Sequence, residues 1–233
     1  QFYFMNKLPK SYQKIYKGLY LDYANSKTFI RKLAKILESW YHKKAASIPI
    51  EGNILEIGCG ALNHIDYESN YSNYDVIEPK EYLFASSKKN LQNKIRHFYR
   101  DIDQIPFKVK YNKIVTIAVL EHVNELDKLL NKTVDHLETD GNFIVEIPAE
   151  GEFLWWLSWR LTTGLAFWLK YKLDYGVIMR YEHVNSFARI YKSLDKYFLI
   201  KKINSFPFHI KNLRIYIHIE CKNKISSIPF NDS

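Results

Sequence analysis

The fold hangs on one short stretch, Ile54-Leu55-Glu56-Ile57-Gly58-Cys59-Gly60. A mostly apolar run of strand type passes directly into Gly-x-Gly, where missing side chains let backbone N–H groups approach a ligand closely. A tight strand-to-helix turn with no ligand would use the same residues. Two neighbours sharpen the reading. Asn63 stands where a dinucleotide-binding loop needs its third glycine, which disfavours a pyrophosphate and an NAD-dependent reductase. Glu56 closes a strand of buried character, and a buried carboxylate needs a partner, either a bound cation or a shell of donors.

On either side of this stretch, short apolar runs alternate with helical ones, the pattern of a mostly parallel sheet covered on both faces. Strands are expected at Asn53–Ile57, Tyr74–Glu78, Ile95–Tyr99, Lys113–Val119, Asn142–Ile147, Phe198–Ser205 and Leu213–Cys221. Helices are expected at Glu81–Gln92, Asn124–Leu137 and Ser186–Asp195. Phe29, Ile30, Leu33, Ile36, Leu37 and Trp40 fall at helical spacing and predict a helix over 27–46, with Ser26 as its cap. Pro49 and Gly52 then punctuate the change of regime. The expected organisation is an N-terminal helical extension (1–50) and an α/β domain (51–233), with an aromatic insertion (151–180) between the fifth and sixth strands.

The chain has 233 residues, 47% hydrophobic and 25% charged, which fits one sizeable domain and excludes disordered, collagen-like and coiled-coil classes. Cys59 and Cys221 are too few for a disulfide framework and have no zinc-ligand spacing, so a reducing, cytoplasmic home is expected. No basic-then-apolar leader opens the chain, and Met5 is a candidate natural start. The net charge is +9, and residues 1–50 hold ten Lys/Arg against Asp22 and Glu38. A local surplus of this kind suits nucleic acid, acidic lipid or a phosphate-bearing substrate, or is simply a solvated helix face.

Three further motifs fall at expected strand ends. Glu78 lies twenty residues after Gly58, where an acid accepts both hydroxyls of a ribose or merely caps a helix. In Arg100-Asp101-Ile102-Asp103, Asp101 is suited to an exocyclic amino group of a base with Ile102 against the ring; two exposed turn acids are the plainer reading. Thr116-Ile117-Ala118-Val119-Leu120-Glu121-His122-Val123 ends the fourth strand on the same side.

Taken in order, Glu56-x-Gly58-x-Gly60, Glu78, Asp101 and Val119–Val123 resemble the class I S-adenosylmethionine-dependent methyltransferases, most strongly over residues 50–147. That resemblance implies a Rossmann-like, seven-stranded, mostly parallel sheet flanked by helices. It implies S-adenosyl-L-methionine as cofactor and S-adenosyl-L-homocysteine as product. By the same resemblance, Glu56 is a cofactor-binding residue together with a glycine loop of Gly58, Cys59 and Gly60 facing the amino-acid portion. Glu78 would take the ribose, Asp101 and Ile102 the adenine, and the backbone of Ala118 and Val119 the methionine portion. No metal is expected. The segments Trp40–Lys44, Leu62-Asn63-His64, Val76–Pro79, Ile147–Gly151 and Glu182-His183-Val184-Asn185 are similar to bacterial methyltransferases linked to surface-polysaccharide biosynthesis. Only thirteen residues separate Gly60 from Tyr74, so the helix after the glycine loop must be short or irregular.

Methyl transfer from a sulfonium is an in-line displacement, and a base takes the acceptor's proton. His42, His64, His122 and His183 are the candidate bases, with His183 and then His122 preferred. The fourth strand lacks an Asp/Asn-Pro-Pro-aromatic ending, which argues against exocyclic nitrogens of nucleic acid and leaves hydroxyl acceptors ahead of amines. The segment 153–171 holds Trp155, Trp156, Trp159 and Trp168 among leucines. It cannot cross a bilayer, because strands of one sheet flank it. It reads as a lid, a buried cap, or an element in the membrane interface with Arg160, Lys170 and Lys172 beside it. The expected function is O-methylation of a small-molecule, saccharide or lipid-linked saccharide acceptor, in the cytoplasm or at the inner face of the membrane. The competing readings are an RNA methyltransferase, a polyamine-synthase-like enzyme, and a non-catalytic binding protein of this fold held to a membrane or partner.

Overall fold

The computed structural model describes residues 8–16 and 29–224, without the side chains of residues 29–34. The expected cap Ser26 lies outside the described residues. Seven strands form one sheet in the order β3-β2-β1-β4-β5-β7-β6. They are β1 (Gly52–Ile57), β2 (Tyr71–Ile77), β3 (His97–Tyr99), β4 (Tyr111–Ile117), β5 (Leu137–Pro148), β6 (Phe198–Pro207) and β7 (Arg214–Asn223). The first five run parallel, and β7 lies antiparallel between β5 and β6. The strand order reverses between β1 and β4, so the loops beyond their carboxyl ends part and leave a crevice. The Rossmann-like α/β architecture expected from the sequence is the one observed.

The elements follow their side chains. Ile54, Leu55, Val76, Ile114, Val115, Ile144 and Val145 of the central strands are fully buried, as a parallel sheet covered on both faces requires. On one face pack α4 (Leu126–His136) and α8 (Phe187–Tyr197). Leu126 and Leu130, then Ile190 and Leu194, recur one helical turn apart and enter a single core with Phe143 and Phe198. Ser186 caps α8, its Oγ accepting from the Arg189 N–H. The other face carries α1 (Phe29–Ala46), where Ala45 is buried against the sheet cluster, Trp40 packs on Phe206 and Tyr41 on Tyr216. Ile36, read as part of the apolar stripe, is instead exposed.

Two expected elements differ. The helix expected over Glu81–Gln92 is broken into α2 (Glu81–Ala85) and α3 (Lys89–Gln92). Ser86 and Ser87 donate their hydroxyls to the carbonyls of Leu83 and Phe84, at 2.6 Å each, and Lys88 is extended. Local side-chain bonds of this kind compete with the helical ladder. Between β1 and β2 there is only a single 3-10 turn (Ile65–Tyr67), the irregularity expected from the short spacing. The insertion folds as α5 (Phe153–Trp159), a π-helical turn (Arg160–Gly164), α6 (Leu165–Tyr171) and α7 (Gly176–Glu182). Leu8 and Tyr12 of the amino-terminal segment pack on its Phe167 and Ile178.

Candidate active site

The cleft begins at the end of β1. Gly58 adopts φ +76° and its N–H, with that of Cys59, donates to the Ile77 carbonyl of β2 at 2.8 and 3.2 Å. A Cβ at Gly58 would stand 2.3 Å from Val119 Cγ2, so the glycine is demanded by the close approach of the two strand ends. At Gly60, φ is +50° and nothing lies within 4 Å of a Cβ position, which leaves that backbone open to the cleft. Glu78, at the end of β2, is 5% exposed. Its Oε2 accepts the Gly60 N–H at 2.9 Å and its Oε1 the Lys80 N–H at 2.8 Å, so two backbone donors fix the carboxylate over the loop.

Asp101 follows β3 and caps a 3-10 turn, Oδ1 accepting from the Asp103 N–H at 2.9 Å, while Ile102 beside it is buried. At the end of β4, Ala118 holds φ +54°, a strained value for a residue with a side chain, and donates its N–H to the Glu146 carbonyl at 2.8 Å. Gly58, Gly60, Glu78, Asp101, Ile102, Ala118, Val119 and His122 all line one cleft of about 1230 Å³. Glu56 and Cys59 are not on its wall. Glu56 is 3% exposed and accepts the Tyr74 hydroxyl at 2.8 Å, and burial raises its pKa to about 7. The partner its position demanded is thus a tyrosine of the protein. Cys59 is buried behind the turn, where burial and then the Glu56 charge push its thiol up.

The four candidate histidines divide into two pairs. His42 and His64 lie on the α1 side, Nδ1 to Nδ1 at 3.2 Å, with Tyr67 stacked 4.9 Å from His42. Burial and then the neighbouring His64 lower the His42 pKa to about 3. His64 Nε2 meets Glu68 at 2.8 Å, and the buried Lys113 ammonium donates to the same Glu68 oxygen at 2.6 Å and to the Ala45 carbonyl at 2.8 Å. These groups tie α1 to the sheet, and none of them lines the cleft.

His122 and His183 meet edge to face with ring centres 4.8 Å apart. His122 faces the cleft and its Nδ1 pairs with the Glu182 carbonyl at 2.9 Å. His183 Nδ1 pairs with Glu150 Oε2 at 2.8 Å. Burial disfavours the His183 imidazolium, but the Glu150 hydrogen bond and the charges of Glu150, Glu121 and Glu182 outweigh it and hold the pKa above the ordinary histidine value. His183 lines a second cavity of about 460 Å³, and Arg180, Val184 and Arg189 line both spaces. The pair therefore sits at the seam between them.

Several residues at this seam were given no role from the sequence, although Glu121, Glu150 and Asn185 fall inside the motifs quoted above. Glu150 follows β5 at a strand end on the same side as the other motifs, a position that with the Ile147–Gly151 resemblance was its signal. Glu121 is 2% exposed with one carboxylate oxygen unpartnered among the described residues, and burial raises its pKa against the pull of His122 and His183. Asn185 donates to the Leu120 and Val123 carbonyls at 2.8 and 2.6 Å and so locks the strand-end turn to the insertion's exit. Tyr16 reaches Glu182 at 2.8 Å and lines the cleft. Its contact joins positions 166 residues apart, beyond any local pattern. Among the described residues no cluster of His, Cys, Asp or Glu could hold a metal ion.

A reversed strand order, an antiparallel seventh strand, and a cleft floored by a glycine turn with an acid fixed across it define a class I S-adenosylmethionine-dependent methyltransferase. The chain belongs to the methyltransferase-domain family, whose model matches residues 29–191. Nodulation protein S of Azorhizobium caulinodans is 31% identical over 102 residues, 42% of this chain and 49% of that protein. Malonyl-[acyl-carrier protein] O-methyltransferase of Bacillus cereus is 30% identical over 139 residues, 55% of this chain and 49% of that protein. The chain thus spans about half the length of these relatives. The crystal structure of the N-methyltransferase NodS from Bradyrhizobium japonicum with S-adenosyl-L-homocysteine superposes with a TM-score of 0.60 at 14% identity, covering 93% of this chain and all of that one. At that identity the likeness speaks for the fold.

Proposed function

We propose that the protein transfers the methyl group of S-adenosylmethionine to a hydroxyl of a small-molecule, saccharide or lipid-linked saccharide acceptor. The observation that carries the reading is the His183–Glu150 pair, in edge contact with His122, which lines the glycine-and-acid cleft. When bound, the cofactor supplies an electrophilic methyl on a positively charged sulfur. The Gly58–Gly60 turn, with Glu56 and Cys59 supporting it from behind, and the backbone of Ala118 and Val119 receive the methionine portion. Glu78 is held ready for the ribose hydroxyls, and Asp101 with Ile102 for the adenine. The cleft residues fit this group: Gly60 leaves room where a side chain would fill the cradle, and Glu78 is fixed by two amides rather than by a cation.

A hydroxyl must shed its proton as it attacks. Glu150 on Nδ1 orients His183 so that Nε2 receives that proton, and it stabilises the imidazolium that results. His122 is the second candidate for the same role. The exposed side chains Phe153, Trp156, Leu161, Leu165, Trp168 and Leu169, with Lys170 and Lys172 adjoining, suit a headgroup boundary and support contact with the inner face of a membrane. Among the described residues no helix is long and apolar enough to cross a bilayer. Calorimetric titration with S-adenosylmethionine tests the reading: binding that Glu78→Ala weakens about tenfold or more is expected. Absence of heat in the unmodified protein would overturn it.

A further inference from the structure

The second cavity has a chemistry of its own. Trp155, Trp156 and Trp159 are among its lining residues, as are Arg160, Arg180 and Arg189. Its carboxylates are already committed. Glu150 is held by His183, and Glu152 is gripped by Arg214, with Nε at 2.9 Å, and by the Asn212 N–H at 2.9 Å. Of the three arginines, Arg180 has Asp174 no closer than 3.9 Å. Arg160 lies over the Trp156 and Trp159 rings, 4.6 and 5.0 Å from their centres, which leaves its N–H edges free to donate. Arg160 and Arg189 have no carboxylate partner among the described residues. The Trp159 indole N–H is buried without an acceptor. Arg160 and Arg189 thus leave donors unanswered beside aromatic side chains, and His183 belongs to the same lining.

We infer that this chamber is the acceptor site, and that the acceptor is a sugar ring bearing an oxyanion, as phosphate or carboxylate. The inference rests on the methyl-transfer reading above and narrows its acceptor. Indole faces pack the apolar C–H face of a pyranose, and guanidinium forks match a planar or tetrahedral oxyanion in pairs of hydrogen bonds. The cavity, about 460 Å³, falls in the range of small-molecule sites. Arg180 and Arg189 border both spaces, so an anion held there brings the ring's hydroxyls to the seam where His122 and His183 meet.

Three of the five tryptophans line the chamber, so intrinsic fluorescence of the full chain reports its occupancy. Glucose 1-phosphate, glucuronate and glucose are titrated separately, beside a calorimetric titration with S-adenosylmethionine. A saturable change is expected with one or both anionic sugars, about tenfold weaker or more with glucose. Which anionic sugar responds assigns the oxyanion to phosphate or carboxylate. Arg160→Gln and Arg189→Gln each weaken that response about tenfold, while Arg160→Gln leaves the S-adenosylmethionine affinity unchanged. An equal response to glucose, or arginine variants that bind like the parent, would overturn the inference. So would variants that lose S-adenosylmethionine instead, since the arginines would then serve the cofactor. Anionic-sugar binding without any cofactor binding would sink the methyl-transfer reading and leave the chamber standing.

Discussion

Replacing Gly58 by alanine tests whether the glycine turn is built by geometry or by habit. At φ +76° an L residue is strained by about 1–2 kcal/mol. The new methyl would stand 2.3 Å from Val119 Cγ2 and 3.1 Å from Cγ1. Val119 is β-branched and stiff at χ1, so the overlap is relieved only by moving one strand end, a further cost of about 1–3 kcal/mol. Together these give a loss of about 2–5 kcal/mol. Gly60→Ala is the internal control: its φ of +50° carries the strain, but no atom lies within 4 Å of the added methyl. Urea unfolding of both variants, and of Gly58→Ala combined with Val119→Ala, separates the two contributions. Gly58→Ala is expected to fall below Gly60→Ala by about 1 kcal/mol or more, and the double variant to show a favourable coupling of similar size. Equal losses at the two glycines, or no coupling to Val119, would refute the packing argument.

Glu150 holds the His183 pKa up, so methyl-transfer activity is expected to climb through a midpoint above about 6.5, and Glu150→Gln to move that limb to lower pH because burial is then opposed only by the charges of Glu121 and Glu182. The same pair stabilises the fold fully below about pH 6.5 and loses that contribution as pH rises through the raised value, so melting curves of parent and Glu150→Gln converge on the alkaline side; curves that diverge there would contradict the sign. Lys113→Ala leaves Glu68 buried without its cation and is expected to cost about 3–5 kcal/mol in urea unfolding, against well under 1 kcal/mol if the network is incidental. In liposome co-sedimentation, Trp156→Ser with Trp168→Ser should abolish membrane association and spare the fold. Trp155, 8% exposed, belongs to the core, and its replacement should instead lower stability by about 3 kcal/mol.

The sheet was legible because its central strands are apolar runs punctuated by glycine and proline, and the cleft because strand ends carry chemistry that the strands cannot. Glu78, Asp101, Ala118 and Val119 come together for that reason alone. Other features depended on information no local window holds. Glu56 stands two residues from the first glycine, yet its side chain shares the Ile54 face of β1 and accepts from Tyr74 in the layer under α1, so it is absent from the cleft wall. His42 and His64 stood among the candidate bases behind His183 and His122. Only the packing of α1 on the sheet consigns them to a buried network with Glu68 and Lys113. The partners of His183, and the arginines shared by the two cavities, were set by how the insertion folds back, which its aromatic composition does not encode.

The far edge of the sheet has a consequence for how the molecule meets its own kind. β6 is ten residues long and, among the described residues, pairs on one side only, a length that would ordinarily invite another chain to add a strand. Its middle carries the exposed pair Lys201 and Lys202 at a break in register, and it ends at Pro207, which has no N–H to offer. At the opposite edge β3 has three residues, too short a template for a stranger to join. Both borders of the sheet are thus guarded against cross-strand aggregation, so when crowded copies of this chain do associate, side-chain surfaces and not backbone ladders must do the joining.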